Sequence, residues 1–563
     1  MNNRLILIFF LISLASSVLA QDNNNDLGIQ EVQITQTYIP KLPLSEKINT
    51  VPKLIDTIQS KTTFNYYPIN KSFNTQLSLE PIQAAKIKGE PLNKIYNTLF
   101  YGGVGNMSMP TSKLYYSSDR NKKTTYGFEI GYIESYANVK STFNEDEKVD
   151  ASFRETDIAF YAKNDTELGI LNAYASRKGK KLQAYGYNSI LFSSEEIRNP
   201  EYWGYTDFGI SLKSKHTDAN RLQYYTKLHA YDLNEFIENS IDWQLSLKQT
   251  YNDYDYALTL GVDYDFNNLS ESYQLADSLS KELILTFKPT ITREFKGGKM
   301  KIGFELQSYD IRDTSSVRVS VYPILRYMYP ISDKYQLVYG GIRGGLIENS
   351  YHTLSKANPY ILNPQVFDGD GLSLINSKTI YDGFIGLKSH LASNMQFDTE
   401  LSYSRVLDMS FFELDTNSTH QNKFRSVYDD VSLFTIQSNL LWQFNQSGQL
   451  GFHMKYNRYT TDSLVYYAYK PTLTTSVWAQ YNIGDKIIPQ IEVFSAFNRS
   501  KTSPTSHVPE LNDIIDFNMQ LEYRYNTVFS AYFKAYNLIS NYQVWQNYSA
   551  LGPQVFFGLS FKL

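Results

Sequence analysis

The chain contains no cysteine. That excludes disulfides, thiolate zinc sites and a cysteine nucleophile together. After residue 20 no apolar run reaches the roughly 20 residues that a spanning helix needs. Histidine is scarce. His216, His229, His352, His390, His420, His453 and His507 are the full set, and none stands at a metal-type spacing from another. They read as loop or strand surface residues, and no metal is assigned. A Gly-x-Ser-x-Gly elbow and a phosphate loop are both missing. There is no basic surplus either: 53 Lys and Arg stand against 57 Asp and Glu, a net charge of −4. That balance argues against a nucleic-acid partner. No catalytic, cofactor-binding or metal-binding residue emerges, and the chain reads as a non-enzyme.

Aromatic residues are present in excess. Of the 563 residues, 47 are Tyr and 33 are Phe. Tyrosine has an apolar body and a polar tip and suits a membrane–water interface. The first twenty residues have the form of a cleaved export signal. Arg4 is the positive start, Leu5 to Leu14 is apolar apart from Ser13, and Val18-Leu-Ala20 precedes Gln21 as a cleavage site. Its loss removes Arg4 and moves the charge from −4 to −5.

From about residue 95, apolar side chains recur on every second residue. Tyr256, Leu258, Leu260, Val262, Tyr264 and Phe266 alternate with Ala257, Thr259, Gly261, Asp263 and Asp265. Met300, Ile302, Phe304 and Leu306 alternate with Lys301, Gly303, Glu305 and Gln307. A strand has a side-chain period of two, so these are two-faced strands. No helical pattern is available to cover so many greasy faces. Lipid is the simplest partner, and a closed barrel is the sheet that satisfies its backbone there.

Short turns are expected near 120–123, 164–166, 216–220, 252–253, 295–298, 332–334, 392–394, 446–448, 484–485 and 526–527. Mostly longer connections alternate with them, near 138–150, 177–202, 233–236, 266–280, 310–315, 347–377, 406–431, 460–468, 497–511 and 540–552. One more connection is expected at 106–112. The sum is about 22 strands, with 18–22 bracketing the count. The fold class is therefore all-β: a large antiparallel transmembrane β-barrel with short periplasmic turns and longer external loops. Pro323, Pro471 and Pro489 fall inside expected strands and should mark bulges or strand ends.

Residues 21–94 differ. Pro40, Pro43, Pro52, Pro68, Pro81 and Pro91 interrupt any regular element. The organisation expected is a signal peptide at 1–20, an extended periplasmic segment at 21–94 and the barrel at 95–563. The chain ends in Val555, Phe557, Leu559, Phe561 and Leu563 on one face, a terminal strand that only closure would protect.

Three stretches carry a resemblance. Glu31-Val-Gln-Ile-Thr-Gln-Thr-Tyr-Ile-Pro, Leu79-Glu-Pro-Ile-Gln-Ala-Ala-Lys-Ile-Lys-Gly-Glu-Pro-Leu and Tyr101-Gly-Gly-Val-Gly-Asn resemble Bacteroidetes-type TonB-dependent-receptor-like barrels, as does the later Leu354-Ser-Lys-Ala-Asn-Pro-Tyr. The resemblance implies a Gram-negative outer membrane and no particular substrate. True TonB-dependent receptors place a folded plug of well over a hundred residues before the barrel. Residues 21–94 are too few for one, so the lumen is expected to be closed by loops, by this segment or by a partner. Val32, Gln33, Ile34 and Thr35 could add a strand to a periplasmic protein, as a TonB box does.

Asp368-Gly-Asp370-Gly has a calcium-loop look but reads better as a turn, and Glu145-Asp-Glu147 reads as a solvated tip. Outer-membrane lipid is the expected partner, with other envelope proteins docking on residues 21–94. The expected function is passage of a solute or polymer across the outer membrane. The alternative is a non-enzymatic subunit of an assembly, secretion or adhesion complex.

Overall fold

The computed structural model describes residues 96–563, apart from 198–199, 217–220, 235–237, 267–280, 311–316, 333–335, 363–373, 465–466, 501–509 and 541. The leader, the 21–94 segment with its 32–35 stretch, Asp368, Asp370 and His507 lie outside the described residues. Twenty-two strands form one sheet. The first, Thr98–Gly105, pairs with Met109–Ser117 on one side and with the last, Gln554–Lys562, on the other. The seam runs in register from Leu99↔Lys562 to Gly105↔Phe556. Sequential strands are antiparallel throughout, and the ring leaves no edge.

All ten expected short turns fall between strands that pair with each other, 217–220 and 333–334 themselves lying outside the described residues. Three are two-residue hairpins, at 252–253, 296–297 and 393–394, and in two of them both φ values are positive: Asn252 and Asp253 have 49° and 65°, and Lys296 and Gly297 have 47° and 77°. Such paired positive φ values give the turn a twist that matches the strands. The opposite end carries the longer connections, with two differences from expectation. The stretch 406–431 is mostly ladder, because Met395–Asp415 and Lys423–Trp442 stay paired to Asp415↔Lys423. Its charge mimics a loop, yet Glu413 and Arg425 pair across the hairpin at 2.7 Å. Strands of 21 and 20 residues span about twice what a bilayer needs, so this hairpin projects well beyond it. The first connection is also shorter than expected, a turn in which Met107 and Ser108 have φ of 57° and 50°.

The prolines sit where a ladder has stopped. Pro323 pairs with Phe304 on one side, and pairing on the other begins at Leu325. Pro489 pairs with Leu521, and its second ladder begins at Gln490. Pro471 lies before the strand Leu473–Tyr481.

The two faces separate as the alternation requires. Phe557, Leu559 and Phe561 point outward on the last strand, as do Tyr256 and Tyr264 on Tyr254–Phe266. Exposed aromatics gather beside the short turns: Tyr126, Tyr251, Phe295, Tyr329, Trp442, Tyr481 and Tyr525. They form a girdle at that end. The inner face is polar, with cross-strand pairs Lys113–Glu129 at 2.6 Å, Lys288–Glu305 at 2.6 Å and Arg343 between Asp382 and Glu400, 2.7 Å from each. Inward tyrosines lie over glycines. A Cβ on Gly558 would fall 2.2 Å from the Tyr532 ring, and one on Gly103 would fall 2.7 Å from its hydroxyl.

Candidate functional site

Connections at the long-loop end do not simply cover the rim. They share a hydrophobic core drawn from residues 139 to 548, which includes Val149, Tyr185, Trp203, Tyr351, Ile361, Phe424, Tyr469, Leu511 and Tyr548. Trp203, Ile361, Phe424 and Tyr548 are fully buried. Tyr548 stacks on Tyr360 with ring centroids 3.8 Å apart, and the Tyr185 ring meets it edge-on at 4.8 Å. Polar bonds tie the same loops. Tyr548 O–H donates to the Asn422 carbonyl (2.6 Å), Trp203 Nε1–H to the Pro359 carbonyl (2.8 Å) and Asn422 Nδ2 to the Ala184 carbonyl (2.7 Å). Lys423 pairs with Glu201. Backbone around 360–362 adds to the free edge of the projecting hairpin: Leu362 N–H donates to the Phe424 carbonyl (2.9 Å) and Phe424 N–H to the Tyr360 carbonyl (3.0 Å). The loops are thus one folded cap.

At its base the cap carries helix α1, Tyr351–Ala357. Ser350 caps it, its side chain accepting from Thr353 N–H at 3.2 Å. Glu238, on the strand Glu238–Tyr251, accepts Tyr351 N–H at 2.6 Å, His352 N–H at 3.2 Å and Tyr231 O–H at 2.8 Å. A carboxylate at a helix start meets otherwise orphaned donors and the positive dipole end. Tyr351 and Leu354 are buried, so the helix lies against the wall by its apolar side.

The residues it meets are inward-facing. His352 stacks on Tyr231 with ring centroids 4.1 Å apart, and its Nε2 lies 3.9 Å from Asp207 Oδ1 and 2.8 Å from Lys356 Nζ. His229 bridges the wall, with Nδ1 2.6 Å from Asp242 and Nε2 3.4 Å from Asp207. Tyr205 O–H donates to Ser355 Oγ at 3.0 Å. Burial, with Lys356 adding to it, drops the His352 pKa to about 4. The ring is therefore neutral at pH 7, and Nε2 accepts from Lys356. Burial also lowers Lys356. Glu348, between the strand Gln336–Ile347 and the helix, is pushed well above the usual carboxylate range by burial and then by Asp265 and Asp263.

Two of the seven histidines, His229 and His352, thus belong to one polar cluster although 123 positions separate them in the chain. Sequence reading treated both as surface residues, because no spacing links them. The local feature that could have pointed here is Ser350, a residue type favoured at a helix start. His216 lies in a short turn, His420 at the tip of the projecting hairpin, and His390 and His453 on strands. Glu145 and Asp146 do sit at an exposed tip, between the short strands Asn138–Lys140 and Lys148–Asp150.

No protein-family model and no curated protein sequence matches the chain. Solved structures do. The copper transporter OprC is 10% identical, with 84% of this chain and 81% of that one covered and a TM-score of 0.58. The siderophore receptor PirA from Acinetobacter baumannii is 9% identical, with coverage of 84% and 81% and a TM-score of 0.59. The pyoverdine outer membrane receptor FpvA from Pseudomonas aeruginosa PAO1 is 10% identical, with coverage of 84% and 79% and a TM-score of 0.58. Identities this low establish architecture alone: the 22-stranded barrel of this chain has the fold of these proteins.

Proposed function

We propose that the protein is an outer-membrane receptor or channel that passes a solute across the outer membrane of a Gram-negative bacterium, held shut at rest by its own loops. The observation that carries this is the cap. A polar, ion-paired lumen runs through the barrel, and the long connections fold into a buried core across one mouth of it. A purely structural barrel has no need of a separately folded lid joined to the wall by polar bonds. A copper transporter and a siderophore receptor with the same barrel fold support the reading. The short-turn end faces the periplasm and the cap faces outward, residues 1–20 direct export, and residues 21–94 form a periplasmic segment. Within that segment 32–35 is offered for strand addition to an envelope protein.

Conductance in planar bilayers tests this. The intact protein is expected to be mostly closed, and replacing residues 351–361 by a short Gly-Ser linker is expected to give discrete openings. Deleting 21–94 as well is expected to raise conductance further. Silence in every form, or equal conductance in all, refutes gated passage.

A further inference from the structure

Glu348 joins the last residue of one wall strand to the loop that carries α1. Its carboxylate meets those of Asp263 and Asp265, on the strand Tyr254–Phe266, and ligand oxygens of the three lie within 4.8 Å of one another. Asp265 is 4% exposed. Glu348 Oε1 is closed to solvent, and no N–H or O–H among the described residues is within hydrogen-bonding reach of it. Further negative charge surrounds the trio: Glu238 acts on Glu348, and Asp242 acts on Asp263. Ser240 O–H donates to Asp263 Oδ1 at 3.0 Å. His229, the nearby base, is already engaged by Asp207 and Asp242. Three half-buried or buried carboxylates this close do not all stay ionised without a cation, or shared protons, among them.

We propose that Asp263, Asp265 and Glu348 bind a hard divalent cation, Ca2+ foremost, that staples the loop bearing α1 to the barrel wall. The donor set selects the class. It offers carboxylate oxygens and neither imidazole nor thiolate, which suits Ca2+ over zinc or copper. Two ligands come from the rigid wall and one from the loop, so an occupied site is a closed cap. Carboxylates bind such a cation in their ionised form, so acid weakens binding. The site concerns closure and stands whether or not a solute passes.

The test uses the full-length protein in detergent. Tb3+ is the probe, because tyrosines beside the cluster sensitise its emission, and Ca2+ and Mg2+ are the competitors. A saturable Tb3+ signal displaced by Ca2+ in preference to Mg2+ is expected, weakened about tenfold or more in Glu348→Gln and in Asp263→Asn. In the unmodified protein, millimolar Ca2+ in place of EDTA is expected to slow amide exchange across 348–362, a comparison that needs no variant to fold. The same exchange in EDTA and Ca2+ overturns the proposal. So does a Tb3+ signal that Glu348→Gln leaves intact in a folded barrel. The shared-proton arrangement overturns it too, and it would show as a cap indifferent to cations and tightened by Glu348→Gln.

Discussion

Glu238→Gln is the most direct probe of how α1 is held. Two oxygens of a side chain that is 3% exposed take Tyr351 N–H, His352 N–H and Tyr231 O–H at 2.6, 3.2 and 2.8 Å. Glutamine keeps the shape but loses the charge and turns one acceptor into a donor facing donors. Hydrogen bonds to a charged group contribute about 1.5–3 kcal/mol, and a carboxylate at a helix start about 0.3–1 kcal/mol. Against this, removing a charge near Glu348 relieves repulsion of about 1 kcal/mol in a partly wet site. The net is about 1–3 kcal/mol, a roughly five- to 150-fold rise in the open population of the latch that Glu238 and α1 form. Hydrogen exchange read by mass spectrometry on peptides covering 350–362, at neutral pH, measures that opening. Barrel-strand peptides serve as the internal control and should not change. If 350–362 exchanges at the parent rate while the barrel remains folded, Glu238 is not what holds the helix, and the latch reading fails.

Phe424→Ala removes a fully buried ring where the hairpin, 360–362 and Tyr548 meet. A local loss of about 3–5 kcal/mol is expected, seen as protease cleavage in the long loops with the strands still protected. Because His352 titrates near 4 in the folded cap rather than at 6.5, its contribution is complete above about pH 6.5. It falls away as pH drops through 4, and intrinsic-rate-corrected exchange of 350–362 should show that slope and lose it in His352→Asn. Phe557→Lys puts a charge on the lipid face and should cost about 2–4 kcal/mol near the bilayer midplane, measured as folding yield into vesicles. Gly558→Leu should fail to close the seam, because the Tyr532 ring occupies the space a side chain needs. Heat-modifiable gel migration reads that outcome.

The barrel was legible because its signal is local and repeated. Tyr256 to Phe266 states its two faces within eleven residues, and pairs such as Asn252–Asp253 state their turns. Charge misled at 406–431, where Asp408, Glu413, Arg425 and Asp429 read as loop while the ladder simply continued into water. The cap and latch were not legible for a different reason. Trp203 and Pro359, or Tyr185 and Ser549, meet only after closure of the ring brings distant connections to one mouth. His229 and His352 are neighbours by the curvature of a wall, which no spacing rule encodes. The Glu348 cluster was hidden likewise: its two aspartates stood out as part of an alternating strand, and its third member sat at the start of a long polar stretch.

The seam between Thr98–Gly105 and Gln554–Lys562 dictates a timetable. Its two halves are made at opposite ends of synthesis, so no cylinder can exist until the final strand has been made. Until then an incomplete sheet carries two raw ladders of unpaired amides, ready to join any neighbour. The core of the lid ends at Tyr548, so all of its parts are made before the strand that shuts the ring.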